Sequence, residues 1–328
     1  MKSWKAKIRR LEKAVEALTA IRQCLYPSES AIAKHLKKLG KGQIRWSDFA
    51  PMLSIATGGS VTKFNPYDYQ TELIAVIEIS SNIICCKSRQ LGISETLCSW
   101  LLMKAVTEPG FTAVVFNKTG DDASDLGERS RKMALSLGSL CPPFESENKR
   151  LVSFKGLGKI YFLDPTVKGR MGIPSASVVV FDEAAFTNNI ESMYEAVVAT
   201  LSMRGVKGKI IFNSTPNGKT GLFWKILSSG KGEADRILKE IDLIRQPEQN
   251  DILPFPHCRF WTHQSWTKVL VHWRQHPLYG ADPNWLNKIK EETQLTDTHI
   301  KQEYDLDFGS DSSAAYLSIE SQLPVALE

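Results

Sequence analysis

The sequence predicts an α/β protein, and three stretches predict it. Ser81–Thr96 opens on an apolar strand, Ile83-Ile84-Cys85-Cys86. It then passes through a polar loop with Gly92 into a helix over Ser94–Met103, with Leu97, Leu101 and Leu102 on one face. Phe111–Phe116 (FTAVVF) and Ser177–Phe186 (SVVVFDEAAF) supply two more apolar runs of strand length, as expected of strands buried on both faces. Buried strands separated by helical stretches are the pattern of a sheet flanked by helices.

The chain of 328 residues has room for one large domain or two smaller ones. Residues 1–45 hold twelve Lys and Arg against Glu12, Glu16 and Glu29, a net +9, which leaves −4 on residues 46–328 of a chain carrying +5. Within this basic segment Trp4, Ile8, Leu11, Val15, Leu18 and Leu25 recur mostly at spacings of three and four, an amphipathic helix. Pro27 ends it, and a second short helix over Ile32–Leu39 is closed by Gly40. The charge suits DNA phosphates. The apolar stripe suits docking on a partner or on the chain's own body, and docking is favoured because such a stripe has to be covered. Residues 41–65 read as a loop-rich lead-in.

A helix opens at Asn65-Pro66-Tyr67-Asp68-Tyr69-Gln70 and runs through Val76. Tyr69 and Gln70, just ahead of the first strand, can stack on an adenine and read its amino edge, or simply sit on a solvated helix. In the loop that follows, Lys87-Ser88-Arg89-Gln90-Leu91-Gly92-Ile93-Ser94, strand, glycine turn and helix N-terminus bring N–H groups together as an anion cradle. Against the phosphate-loop pattern G-x-x-x-x-G-K-[ST], Gly92 and Ser94 are in place, Lys87 stands at the first position, and Ile93 stands where lysine is expected. A cation near the outer phosphates is still required, and Lys87 and Arg89 are the two in the loop. A bare strand–turn–helix without ligand is the other reading.

Beyond Phe116 a polar helix is expected over about Ala123–Leu137, then a hairpin of Leu151–Phe154 and Lys159–Leu163. A basic glycine loop follows, Lys168-Gly169-Arg170-Met171-Gly172. Asp182 and Glu183 end the run Val178–Phe181. Two adjacent acids are costly in a core but suit the C-terminal edge of a parallel sheet, where ligands bind. There Asp182 can hold Mg²⁺ and Glu183 can orient and deprotonate a water. Lys209–Asn213 is a further strand leading into Ser214-Thr215-Pro216-Asn217-Gly218, which can sense a terminal phosphate or form an ordinary turn. Helices are expected from Leu222, over Asp282–Thr293 and over Asp297–Tyr304.

Other classes fare poorly. No apolar run approaches the roughly 20 residues of a membrane span, and the charged N-terminus lacks the apolar core of a secretory signal. The six cysteines contain no C-x-x-C pair, so reduced buried thiols are expected rather than zinc. His272 and His276 lie four apart without an accompanying acid and third ligand, so they read as core or surface residues.

Taken together these motifs resemble the ATPase half of a large terminase subunit, the DNA-packaging motor of tailed phages and prophages, over roughly residues 65–315. The pieces that carry the resemblance are Tyr69-Gln70 as adenine motif, Lys87–Ser94 as Walker A, and Val178–Phe186 as Walker B with its adjacent glutamate. Ser214-Thr215-Pro216-Asn217-Gly218 matches as coupling motif and Gln302–Phe308 as the closing segment. A lysine moved to the first Walker A position also occurs in that family.

The resemblance implies an additional-strand, RecA-like P-loop NTPase with a mostly parallel sheet flanked by helices. It divides the chain into the basic segment 1–45, an ATPase domain at 46–308 and a linker at 309–328 toward a nuclease domain. The twenty residues after Phe308 are too few for that domain, and nuclease activity is not expected here. The implied cofactors are ATP and Mg²⁺. Tyr69, Gln70 and Lys87 through Ser94 bind nucleotide, Ser94 and Asp182 place the metal, and Glu183 activates water. Arg89 holds phosphate or acts as a cis arginine finger, and Ser214, Thr215 and Pro216 relay the hydrolysis state. The implied partners are double-stranded DNA, contacted without sequence preference, the small terminase subunit and the portal protein, in a ring of copies in the bacterial cytoplasm. Two rivals stand: a superfamily 2 helicase-like ATPase, which would need a second lobe that has no motifs after residue 220, and a non-catalytic DNA-binding or assembly protein with a decayed loop.

Overall fold

Apolar runs that leave no polar face must be covered on both sides, and the computed structural model shows how. It describes residues 44–57, 59–146, 148–165, 175–202, 208–245 and 258–309. The basic segment through residue 43, the glycine loop at 168–172 and the stretch from 310 onward lie outside the described residues. A small antiparallel hairpin, β1 (Ser54–Thr57) and β2 (Ser60–Lys63), precedes the main sheet where a loop-rich lead-in was expected. Its residues show no alternation of apolar and polar side chains for a period-two reading to find.

The main sheet has eight strands: β3 (Asn82–Lys87), β4 (Thr112–Phe116), β5 (Leu151–Ser153), β6 (Lys159–Leu163), β7 (Val178–Asp182), β8 (Lys209–Ser214), β9 (Arg259–His263) and β10 (Trp266–Val271). Their order is β5-β6-β4-β7-β8-β3-β10-β9. The six inner strands are parallel, and the edge strands β5 and β9 run antiparallel to their neighbours. The expected 151–163 hairpin is therefore present, with its second strand built into the main sheet. One strand, β8, lies between β3 and β7, which is the additional strand of the expected fold class.

Each inner strand divides its side chains between two cores. Ile83, Cys85, Ala113, Val115, Val178 and Val180 enter one; Ile84, Cys86, Val114, Phe116, Val179 and Phe181 enter the other. The first is roofed by α1 (Asp68–Ile79), α2 (Ile93–Thr107) and α3 (Gly120–Leu135). The second is roofed by α4 (Ile190–Ser202), α5 (Gly221–Leu227) and α6 (Glu233–Arg245). Each buried Val or Ile contributes about 1.5–3 kcal/mol, so a polar residue within these strands would be costly. The thiols Cys85, Cys86, Cys98 and Cys258 are buried and unbridged. Burial pushes Cys85 and Cys98 up to about 12, so they are held as neutral core groups.

A third cluster, Trp273, Trp285, Ile300 and Tyr304, packs the last two helices, α7 (Trp285–Thr293) and α8 (Asp297–Tyr304), beside the end of β10. His272 and His276, just beyond β10, serve as buried caps. His272 Nδ1 accepts from Arg274 N at 3.3 Å, and its Nε2 lies 3.3 Å from Asp305 Oδ1. His276 Nδ1 accepts from Leu278 N and Tyr279 N at 3.3 Å each, with its ring between Tyr67 and Tyr279.

His276 gives the fold an acid-sensitive joint. Burial lowers its pKa to about 4, against about 6.5 for an unperturbed histidine. The folded state favours the neutral ring, so this contribution is intact above pH 6.5 and is lost as pH falls toward 4. Thermal melts of His276→Asn, which keeps a cap acceptor and cannot titrate, should fall less steeply than wild type between pH 6.5 and 4. Identical slopes would remove His276 from the acid response.

Candidate functional site

The C-terminal ends of the parallel strands open on one cleft of about 740 Å³, lined among others by Arg89, Ser94, Asn117, Asp182, Glu183 and Thr215. The loop from β3 to α2 forms one wall. Gly92 caps α2 with a left-handed φ of 65°, and a Cβ there would come within 3.1 Å of Gln70 Nε2, so glycine answers both the turn and the close approach. Ser88 N donates to Val271 O at 2.8 Å and Arg89 N to Glu303 O at 2.7 Å. Ser88 Oγ donates to Tyr304 O and accepts from Trp273 N at 3.0 Å. The front of the loop is thus fastened to β10 and α8, and Ser88 supports the loop rather than facing the cleft. Leu91 and Ile93 bury their side chains in the core.

Tyr69 and Gln70 differ from the sequence expectation. Tyr69 is fully buried, and its hydroxyl donates to Leu91 O at 2.8 Å. Gln70 Nε2 donates to the same oxygen at 3.1 Å, while its Oε1 accepts from Tyr67 N at 2.9 Å as a capping box. Both polar ends are committed beneath the loop. The pair shapes the turn from below, and neither residue lines the cleft as an adenine-stacking pair would.

Across from the loop, β7 delivers Asp182 and Glu183. Asp182 is buried; burial, and then the charge of Glu183, push its carboxyl upward against Lys87, Asn213 and Ser94, which act to lower it. Asn213 Nδ2 donates to Asp182 Oδ1 at 2.7 Å, and Asn117 Nδ2 to Oδ2 at 3.5 Å. Glu183 turns out of the strand with φ 51°. A left-handed glutamate costs energy, and its turn is braced. Ala185 N donates to Ser214 Oγ at 3.1 Å, Asn217 Nδ2 to Ala185 O at 2.8 Å, and Thr187 Oγ1 to Glu183 O at 3.1 Å.

The displaced lysine meets the glutamate. Lys87 Nζ lies 2.7 Å from Glu183 Oε1, with the lysine side chain 7% exposed and the glutamate 37%. Burial alone would lower the Lys87 pKa; Glu183 and Asp182 outweigh it and hold the ammonium above its ordinary value. Arg89 is outside this cluster, 59% exposed and paired with Glu303 at 3.0 Å. Gln302 on the same helix donates to Pro216 O at 3.0 Å. So α8 touches both the loop and the 214–217 segment.

Of the predicted residues, Lys87, Ser94, Asp182 and Glu183 converge, Arg89 and Thr215 line the same cleft, and Tyr69, Gln70, Ser88, Leu91 and Ile93 lie behind it. Sequence reasoning passed over Asn117, Asn213 and Glu303. The two asparagines had a signal, a polar residue at the end of an otherwise apolar strand, as in FTAVVFN and KIIFN. The donors present suit a hard, hydrated cation: one carboxylate, one hydroxyl and amide oxygens. Among the described residues no group of three His, Cys, Asp or Glu forms a cage.

No curated protein matches the sequence. Solved structures do match the fold. The ATPase domain of the Thermus phage P74-26 large terminase superposes with TM-score 0.53 at 18% identity, covering 75% of this chain and 95% of that one. A large terminase from a thermophilic bacteriophage in complex with ATP-γ-S gives 0.50 at 14%, covering 74% of this chain and 53% of that one. At such identities these likenesses speak to fold alone. A family model described as "Terminase large subunit, T4likevirus-type, N-terminal" matches residues 84–321, well over half of the chain. This chain belongs to the large terminase subunit family and matches the N-terminal part of its T4likevirus type.

Proposed function

We propose that the chain is the ATPase of a phage DNA-packaging motor, hydrolysing ATP to move double-stranded DNA into a procapsid. The observation that carries this is the convergence of Ser94, Asp182 and Glu183 in one cleft at the C-terminal edge of the sheet, with the buried Lys87 paired to Glu183. With Ser88 and Arg89 N–H groups committed elsewhere, phosphate contacts fall to the N–H groups of Gln90–Ser94 at the start of α2. Lys87 and Arg89 supply positive charge to the outer phosphates. Ser94 and Asp182 would hold Mg²⁺, which would screen the phosphate oxygens. Glu183, once released by Lys87, orients and deprotonates the attacking water. The 214–217 segment braces the turn that carries Glu183 and is held in turn by Gln302, which supports a route from hydrolysis to the rest of the chain.

DNA, the small subunit, the portal protein, neighbouring copies in a ring and a host-cytoplasmic setting belong to this reading through the family. DNA contacts would go to phosphates, since a motor moves over any sequence. Steady-state ATP hydrolysis with and without duplex DNA tests the proposal. Turnover should be measurable, should rise with DNA, and should rise equally for unrelated duplexes. Absence of hydrolysis in both conditions would instead favour a binding or assembly protein.

A further inference from the structure

We propose that Asn117 and Asn213 are positioning residues for a divalent cation: they hold the Asp182 carboxylate from both sides, and Asn117 Oδ1 accepts a hydrogen bond from a water on that cation. The inference rests on the ATP-hydrolysing reading and goes beyond it in giving roles to residues outside the loop and the acidic pair.

Sheet register makes the arrangement. β4, β7 and β8 are neighbours, with Phe116 opposite Phe181 and Phe181 opposite Phe212. The three rings stack at 5.2 and 4.8 Å on one face of the sheet. The next residue of each strand points to the other face, which lines up Asn117, Asp182 and Asn213 in one row. Asp182 and Asn213 are direct register partners. The outer two thus bring an amide to each oxygen of the middle one, at 2.7 Å from Asn213 and 3.5 Å from Asn117.

Each amide donates its N–H to the carboxylate, which leaves its carbonyl oxygen over. Both Asn117 Oδ1 and Asn213 Oδ1 are buried with no hydrogen-bond partner. Buried acceptors left unmet are uncommon in folded proteins and usually mark a missing ion or water. Asn117 lines the cleft while Asn213 is fully enclosed, so the two divide the work. Asn213 fixes the carboxylate. Asn117 does so more loosely, and its side chain lines the cleft with its own oxygen still lacking a partner. Mg²⁺ binds through one or two protein oxygens plus phosphates and keeps several waters. Those waters are strong donors that need acceptors, and Asn117 Oδ1 supplies one beside Asp182 and Ser94.

The test is a Mn²⁺ titration of the full chain saturated with ADP, free Mn²⁺ being read by electron paramagnetic resonance. Wild type is compared with Asn117→Leu, which keeps the shape and removes both polar atoms. ADP affinity is measured separately in EDTA. Loss of an outer partner of a metal site typically weakens metal binding by 10–100-fold, so the Mn²⁺ Kd should rise about 10-fold or more, with ADP affinity in EDTA unchanged. Unchanged Mn²⁺ affinity would overturn the proposal, as would an equal loss of ADP affinity without metal. If wild type binds no ADP, the ATP-hydrolysing reading has failed instead. Should Asn117→Leu not fold, Asn117→Ala is read in the same way.

Discussion

Glu183→Gln should bind ATP at least as tightly as wild type and turn it over about 100-fold more slowly or worse, the scale expected when a general base is removed. The substitution keeps the length of the side chain and its hydrogen-bonding oxygen, so the braced turn at φ 51° should persist. What disappears is the charge. In wild type the carboxylate holds Lys87 at 2.7 Å, and incoming phosphates must draw the lysine away from it. Without the carboxylate that competition weakens, while no group remains to take the proton of the attacking water. Equilibrium binding of ATP together with single-turnover hydrolysis separates the two effects. A wild-type hydrolysis rate would refute the assignment of Glu183, and tight binding with stalled chemistry would support it.

The parallel layers were legible because burial on both faces writes itself as unbroken apolar runs. Ile83–Cys86, Phe111–Phe116 and Val178–Phe181 read as strands on this ground, and all hold inner strands. The acids that close Val178–Asp182 were legible for the same reason, as charge at the rim of a core. Other elements are missed although they carry signatures of their own. Residues 259–266 stand out in the sequence for Trp261, His263 and Trp266, and neither β9 nor β10 is assigned there. Yet β10 pairs with the phosphate-loop strand along its whole length and fastens Ser88 through Val271 O. The helices α4 and α6 are missed too, although Ile190, Met193 and Val197 in one and Ile237, Ile241 and Ile244 in the other recur at helical spacing and cover the second core.

The adenine expectation for Tyr69 and Gln70 shows a different limit. Their spacing ahead of the loop is visible in the sequence, but which way they point depends on the α1–loop packing. That packing turns both toward Leu91 O. The Lys87–Glu183 pair spans 96 positions and arises because β3 and β7 stand one strand apart. No local pattern could announce it.

The same placement explains why the lysine sits where it does, and it predicts the outcome of moving it. Lys87→Ala should lower ATP turnover by about 100-fold or more, since removing one preorganised charge partner of a transition state typically costs 10²–10³ in rate. The fold should survive, because Glu183 is 37% exposed and stays solvated without its partner. Adding Ile93→Lys should not restore activity. In the common loop pattern this position carries the lysine, but here Ile93 is 2% exposed and packed in the α1–α2–α3 core. An ammonium placed there has to be desolvated or force the helix start outward. The double substitution should therefore melt below Lys87→Ala and remain as inactive. Turnover and melting temperature of the two variants measure this directly. Full recovery in Lys87→Ala/Ile93→Lys would show that the site accepts its cation from either end of the loop. Unchanged activity in Lys87→Ala would move the phosphate role to Arg89, whose guanidinium is exposed and paired with Glu303 on α8.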